Sequence, residues 1–332
     1  MYVSKLLTAA ALATGLTMAG SSASAVDFKA SHQWPGGKGD IRDEMVQIIA
    51  RHMNDNDTGV KIKVYPGKSL YKPKEQWSAM TKGRLDITAF PLAYAGGRHP
   101  EFNLTLMPGL VKNHDHALRL NDSPFMQEIK KVMDQAGVMV LADTWLAGGF
   151  VSKGECILEP KDVKGMKFRA AGKAFNQMLE AAGATITSMP SSEIYSGLQT
   201  GVLDGANTSS SSLVSYRIYE QVKCLTAPGA NALWFMYEPI LMAKKSFDKL
   251  TPEQQKELLK AADEAEKFAS DAAKGADQKL IDAYKKSGVK VVEMSAEQAA
   301  LWREIADTSS YKSFADNVEG GRGLLDMALS VE

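Results

Sequence analysis

The chain is poor in three things that would otherwise define it: it has two cysteines in 332 residues, no excess of either charge, and no apolar segment of membrane length after its first residues. Two cysteines cannot build a metal-binding cysteine array. Cys156 and Cys224 are either bridged, closing a loop of nearly seventy residues, or two separate buried thiols. Balanced charge removes the global field that would draw nucleic acid or an anionic membrane, so any anion must be recognised locally. Enzyme signatures are missing too. There is no G-x-S-x-G elbow and no G-x-G-x-x-G after a strand, and Ser69-Leu70-Tyr71-Lys72 has S-x-x-K spacing without its S-D-N or K-T-G companions. Gly67-Lys68-Ser69 looks like the end of a phosphate loop, but Ile62 stands where the first glycine is required. His114-Asp115-His116 has no third or fourth metal ligand in view and reads as surface polar residues.

What is present begins with a leader. Lys5 precedes the apolar run "LLTAAALATGLTMAG" and the small-residue stretch "SSASA", so residues 1–25 read as a secretory signal peptide cleaved after Ala23-Ser24-Ala25. The expected location is a bacterial periplasm, and no cysteine stands at the new N-terminus to carry a lipid. Removing Lys5 leaves 38 basic against 39 acidic residues, and a mature chain of this size favours two domains.

Strand and helix signals alternate as in parallel α/β units. "VDFKASHQW", "VKIKVYP", "RLDITAF" and "GVMVLADTW" read as strands, with helices over "IRDEMVQIIARHMND", "EQWSAMTKG" and His114 to Gln135. In the second half "GMKFRAAG" reads as a strand and "KAFNQMLEAAG" as a helix ended by Gly183. Ile194 and Leu198 share a helical face that Gly201 stops, Val202-Leu203 reads as a short strand, and Asp204-Gly205 as a turn before Asn207. The serines Ser209 to Ser212 read as the cap of a helix "LVSYRIYEQV". Thr251, Pro252 and Gln254 begin a helix that can run to Ser287, about 54 Å at 1.5 Å per residue, long enough to cross two lobes; a kink at Gly275 is the alternative.

Arg169 ends the strand "MKFR" and Asn207 follows "VL", and in open parallel sheets ligands bind beyond the carboxyl ends of strands. Arginine's fork can grip a carboxylate or sulfonate through two parallel hydrogen bonds, and a solvated arginine or an interdomain salt bridge is the competing reading. Trp34 and Trp145 lie just beyond strands and are expected to line a cleft, whereas Trp77 and Trp302, at helical positions, are expected to pack.

"DVKGMKFR" resembles the D-L-K-G-L-K-I-R signature, and "MPSSEIYSGLQTGVLDG" the P-x-S-E-V-Y-x-A-L-Q-T-G-V-V-D-G run, of the dicarboxylate-type solute-binding proteins of tripartite ATP-independent periplasmic (TRAP) transporters. "VYPGKSL", "GRLDIT" and "LTPEQQKELLKAA" fit weaker patterns of that family in the same order. The resemblance implies an α/β, two-lobed periplasmic binding protein fold, type II-like, with hinge strands and a long helix spanning both lobes. The implied lobes are 26–145 plus about 233–270, and 146–232 plus about 271–332. Arg169 becomes the carboxylate-gripping residue, Asn207 and Thr208 orient the anion, and Trp34, Tyr94, Trp145 and Trp234 shape the cleft with Gln33 and Ser191 beside them. The chain departs from the family at "DGANT", where many members read D-G-Q-E-N, and at Gly149, where acid-sugar binders carry a second arginine. Fewer cations and more aromatic surface point away from sialic or uronic acids, to a smaller monoanion such as an aromatic acid, a keto acid or a sulfonate. The expected partners are that acid and the small and large TRAP membrane subunits, with no nucleic acid, no cofactor and no metal, and the protein is expected to be a monomer. The alternatives are a secreted hydrolase or isomerase acting on a small organic acid, and the sensing domain of a regulator.

Overall fold

The computed structural model describes residues 26–332, so the expected leader and its cleavage site lie outside the described residues. The helix Ile41–Asp55 shows how local sequence sets an element here. Asp40 caps it by accepting the Arg42 backbone N–H, and Met45, Val46, Ile49, Ala50 and Met53 form its buried face.

Twelve strands follow the chain: β1 (Val26–Ser31), β2 (Val60–Tyr65), β3 (Ile87–Ala89), β4 (Val138–Ala142), β5 (Trp145–Ser152), β6 (Lys167–Arg169), β7 (Thr185–Ile186), β8 (Gly205–Ser209), β9 (Cys224–Thr226), β10 (Trp234–Tyr237), β11 (Ile240–Ala243) and β12 (Lys290–Val292). They form two sheets, ordered β2-β1-β3-β11-β4 and β12-β9-β5-β8-β6-β7, with β10 pairing β5. Each sheet is the centre of one lobe of an α/β fold. The chain crosses between the sheets at Asp143-Thr144, from β4 to β5, and again at Glu238-Pro239, from β10 to β11. These two antiparallel crossings are the hinge.

The long helix Pro252–Lys286 runs unbroken through Gly275, and its start carries the reciprocal Thr251–Gln254 capping box. Its buried face is mostly alanine. Leu258 to Ala276 pack with the helix Ile41–Asp55 and the first sheet, while Leu280 and Tyr284 pack with Val151, Ala206 and Leu225 of the second. The helix thus spans both lobes. The terminal helix Gly321–Leu329 returns to lie on the helix Pro124–Gln135.

Three local expectations are corrected. His114 to Gln135 is two helices, His114–Asn121 and Pro124–Gln135, because Ser123 caps a new start with Pro124 in its first turn. Val202-Leu203 is not a strand; the strand is "GANTS", β8, central between β5 and β6. The helix expected over "LVSYRIYEQV" is instead Ser210–Ser215, with Ser209 at its N-cap position and the following serines forming its first turn.

Cys156 and Cys224 form a disulfide with Cα atoms 5.2 Å apart, tying the segment after β5 to β9. A bridge over 68 residues restricts the unfolded chain. The Cys156→Ser/Cys224→Ser protein is therefore expected to lose about 4 kcal/mol of stability, measured as a lower urea midpoint.

Candidate functional site

Arg169 is the last residue of β6 and fully buried. Its Nε donates to the Met189 carbonyl at 3.0 Å, Nη1 to the Asn207 carbonyl at 2.6 Å, and Nη2 to the Tyr94 hydroxyl at 2.9 Å. A guanidinium has five N–H groups, so one remains on each terminal nitrogen. Among the described residues no carboxylate lies within salt-bridge distance of it. That is unusual for a buried cation, because an unpaired charge away from water is costly.

Tyr94 comes from the turn after β3 and carries the first lobe to this arginine. Its hydroxyl oxygen also accepts the Ser191 backbone N–H at 3.0 Å, so Arg169, Tyr94 and Ser191 meet as the sequence suggested. Nearby, Tyr216 donates its hydroxyl to the Gln33 carbonyl at 2.8 Å. Burial raises the Tyr216 phenol well above its usual range, with Asp40 adding to the effect and Arg42 opposing it; Tyr94 and Ser191 also act on it. Gln33 thus sits between these groups. Both polar atoms of its side chain lack a partner.

Asn207 lies within β8, opposite Phe150 of β5, rather than at a turn. Successive side chains of a strand point to opposite faces. Asn207 and Thr208 therefore do not face one anion together, contrary to the sequence expectation. Asn207 shares its face with Ser209, Phe150 and Gly148, and through the Trp234–Gly148 pairing with Trp234. Its amide is fully buried with neither atom partnered, and the Trp234 indole N–H is also buried and unpartnered. Thr208 is buried on the other face, opposite Gly149.

Two tryptophans are placed differently from the expectation. Trp145 donates its indole N–H to Asn121 at 2.8 Å, packs 4.9 Å from Tyr237, and borders a separate cavity of about 360 Å³ beside the long helix. None of these contacts brings it to Arg169. Trp34 is fully buried, with its indole N–H on Ser212 and the Arg42 guanidinium 3.9 Å above its ring, so it braces a polar network. Trp77 and Trp302 pack as expected, against Phe90 and Phe102, and against Phe150.

The network under Trp34 is not foreseen from the sequence. Arg42 is fully buried and all five of its N–H groups are placed: a two-point contact with Asp40 at 2.8 and 2.7 Å, Glu238 at 2.5 Å, and the hydroxyls of Ser209 and Ser212 at 2.8 and 3.0 Å. Ser215 donates to Asp40 at 2.8 Å. Asp40 and Arg42 belong to the first lobe, the serines to the second, and Glu238 to the hinge crossing. Burial would lower the Arg42 pKa, but Asp40 and Glu238 outweigh it and keep the guanidinium charged. Burial pushes the Glu238 carboxyl up, against the pull of Arg42 and, more weakly, of Arg169. The only signal in the sequence is the run of four serines, which fits a helix cap equally well.

Gly148 and Gly149 explain why β5 carries no side chains where it passes the site. A Cβ on Gly148 would stand 2.1 Å from the Thr208 carbonyl oxygen, and one on Gly149 2.3 Å from that of Thr226. Gly149→Ala is expected to cost roughly 1–3 kcal/mol through the forced backbone shift, seen as a lower melting temperature.

His114 and His116 do not act together. His114 Nε2 lies 3.0 Å from Asp277, whereas His116 is buried, not on the surface as expected, and contacts the Lys112 N–H and the Val331 carbonyl. Among the described residues no group of three or more His, Cys, Asp or Glu is arranged to hold a metal ion, and no helix is long and apolar enough to cross a membrane.

Comparison with known proteins gives a consistent picture. Residues 44–317 match the family described as bacterial extracellular solute-binding protein, family 7. A solute-binding protein of Albidiferax ferrireducens is 41% identical over 305 residues, covering 91% of this chain and 90% of the relative. The C4-dicarboxylate-binding periplasmic protein DctP of Rhodobacter capsulatus is 27% identical over 317 residues, covering 92% of each. Among solved structures, a TRAP periplasmic solute-binding protein of Rhodoferax ferrireducens with bound malonate superposes with a TM-score of 0.87 at 41% identity, over 92% of this chain and 98% of the other.

Proposed function

Because the chain belongs to the bacterial extracellular solute-binding protein family 7, we propose that it is a periplasmic receptor that closes on a small organic acid and delivers it to the membrane subunits of a TRAP transporter. The observation that carries this reading is Arg169: fully buried, without a carboxylate partner, and with one N–H left on each terminal nitrogen. A carboxylate or sulfonate supplies the missing charge and two acceptors in the matching geometry. Tyr94 and Ser191 fix the guanidinium from the opposite side. Thr208, on the face of β8 that Arg169 shares through its pairing with Ala206, and Gln33 contribute the remaining polar contacts.

The lobes that close are taken as 26–145 with about 233–270, and 146–232 with about 271–332, the last helix reaching back over the first lobe. Residues 1–25 serve as the export signal, and the protein acts as a monomer that binds without turnover. The Rhodoferax relative's malonate makes short carboxylic acids the first ligands to try.

Thermal-shift screening of the mature protein against mono- and dicarboxylates and sulfonates tests the reading, since a ligand that binds only the folded state raises the melting temperature. A rise with at least one small organic acid is expected. No rise with any of them, or consumption of an acid by the purified protein, would overturn it.

A further inference from the structure

Resting on that reading, we propose that Tyr94 selects the ligand: its hydroxyl donates to an oxygen on carbon 2 of the acid whose carboxylate sits on Arg169. The receptor then takes 2-oxo or 2-hydroxy acids in preference to the same acids without that oxygen.

The first argument is a count of protons at one atom. Tyr94 Oη accepts two hydrogen bonds, from Arg169 Nη2 at 2.9 Å and from the Ser191 backbone N–H at 3.0 Å. Both partners are donors only, so the hydrogen of the Tyr94 hydroxyl is still to be placed. Among the described residues none accepts it. Other phenols of the protein behave differently. Tyr216 donates to the Gln33 carbonyl, Tyr237 to Asp143, Tyr284 to the Leu213 carbonyl and Tyr311 to the Pro108 carbonyl.

The second argument is the shape of the guanidinium. Its fork is planar, and acceptors on the two N–H groups of one nitrogen stand about 5 Å apart at ordinary hydrogen-bond lengths. Tyr94 holds one N–H of Nη2 and the anion is left the other. A carboxylate oxygen there is nearly twice as far from Tyr94 Oη as an O–H···O bond reaches. The carboxylate alone cannot take the Tyr94 proton. An oxygen on the adjacent carbon divides the span into two steps, one to the near carboxylate oxygen and one to Tyr94.

The third is that Tyr94 is held in place. Its ring meets Phe90 edge-on with centroids 6.3 Å apart. Its neighbour Ala93 closes on the start of the helix Gly172–Ala181, where a Cβ on Gly172 would stand 3.2 Å from the Ala93 Cβ and 3.3 Å from Leu106 Cδ2. From the other side the Met189 carbonyl accepts from Arg169 Nε at 3.0 Å, two residues before the Ser191 N–H that binds Tyr94. Tyr94 comes from the turn after β3 and Arg169 from β6, so they meet only with the lobes together. An acid lacking the carbon-2 oxygen leaves the Tyr94 proton unpaired there. A site built to hydrogen-bond one group of a ligand discriminates against the analogue without it.

The test is calorimetric titration of the mature protein at about pH 7.5 with acids matched on one carbon chain: propionate against pyruvate and lactate, butyrate against 2-oxobutyrate, succinate against malate, and 3-phenylpropionate against phenylpyruvate. In at least one chain the oxygenated acid is expected to bind about ten-fold or more tightly than its parent acid. Tyr94→Phe keeps the ring against Phe90 and should bring the two members of that chain to nearly equal affinity. A Tyr94 that only holds Arg169 in position would instead weaken both members alike and leave their ratio unchanged, which would overturn the proposal. So would a parent protein that binds the unsubstituted acid as well as or better than the oxygenated one in every chain. Should Tyr94→Phe bind neither member, the ratio in the parent protein decides alone. If the only acids that raise the melting temperature lack an oxygen on carbon 2, the receptor reading stands and this selection rule is wrong. If no organic acid of any kind binds, the receptor reading fails as well.

Discussion

An Arg169→Ala protein is expected to lose the melting-temperature rise that an organic acid produces in the parent, with affinity falling roughly 30-fold to several-thousand-fold. That range corresponds to the 2–5 kcal/mol typical of truncating one partner of a buried, hydrogen-bonded charge pair. Two of the three groups that Arg169 now satisfies are backbone carbonyls, of Met189 and Asn207. Leaving them unpaired costs about 1–3 kcal/mol each at most, so the unliganded variant should still fold but melt lower. Arg169→Lys separates charge from geometry. It keeps the cation and loses the fork, and its affinity should fall between parent and alanine. An alanine variant that keeps the full ligand-induced shift would remove Arg169 from the site.

The second large effect is expected at Arg42. Arg42→Met leaves Asp40 and Glu238 buried without their cation, and breaking such a pair from one side costs roughly 3–5 kcal/mol. Urea unfolding followed by tryptophan fluorescence should show the loss as a lower midpoint with the slope unchanged. Neutralising the acids together with the arginine, as Asp40→Asn/Arg42→Met/Glu238→Gln, should recover much of it, since the penalty comes from uncompensated charge. A triple variant no more stable than the single would mean that the serine hydroxyls and the Trp34 contact, rather than charge balance, hold the lobes here. Because the network joins residues of both lobes with the hinge crossing, the single variant should also bind ligand more weakly.

Elements whose start, face and stop lie close together along the chain are legible from the residues alone. The helix Ile41–Asp55 matches its sequence expectation residue for residue, and Thr251, Pro252 and Gln254 announce the long helix. Arg169 is legible because a signature carries it at a strand end. β8 is not. "GANTS" has one β-branched residue and no apolar alternation, and it is a strand because β5 and β6 close on both sides of it; a Cβ on Gly205 would stand 2.5 Å from the Phe168 ring. The same blindness hides Arg42 in an amphipathic helix, since its decisive partner Glu238 is 196 residues away.

By itself, then, the sequence determined the family, the two-lobed α/β architecture, the helix spanning both lobes and the arginine at the end of β6. These rest on local periodicity, capping and contiguous signatures, all of which act over a few residues. Only the tertiary structure decided that Thr208 shares the face of Arg169 while Asn207 points the other way, and that Trp34 and Trp145 brace the lobes and hinge. It also decided that Arg42 is spent on two acids while Arg169 has none. Those outcomes depend on strand register and on which distant charges share a buried volume, and neither is encoded in neighbouring residues.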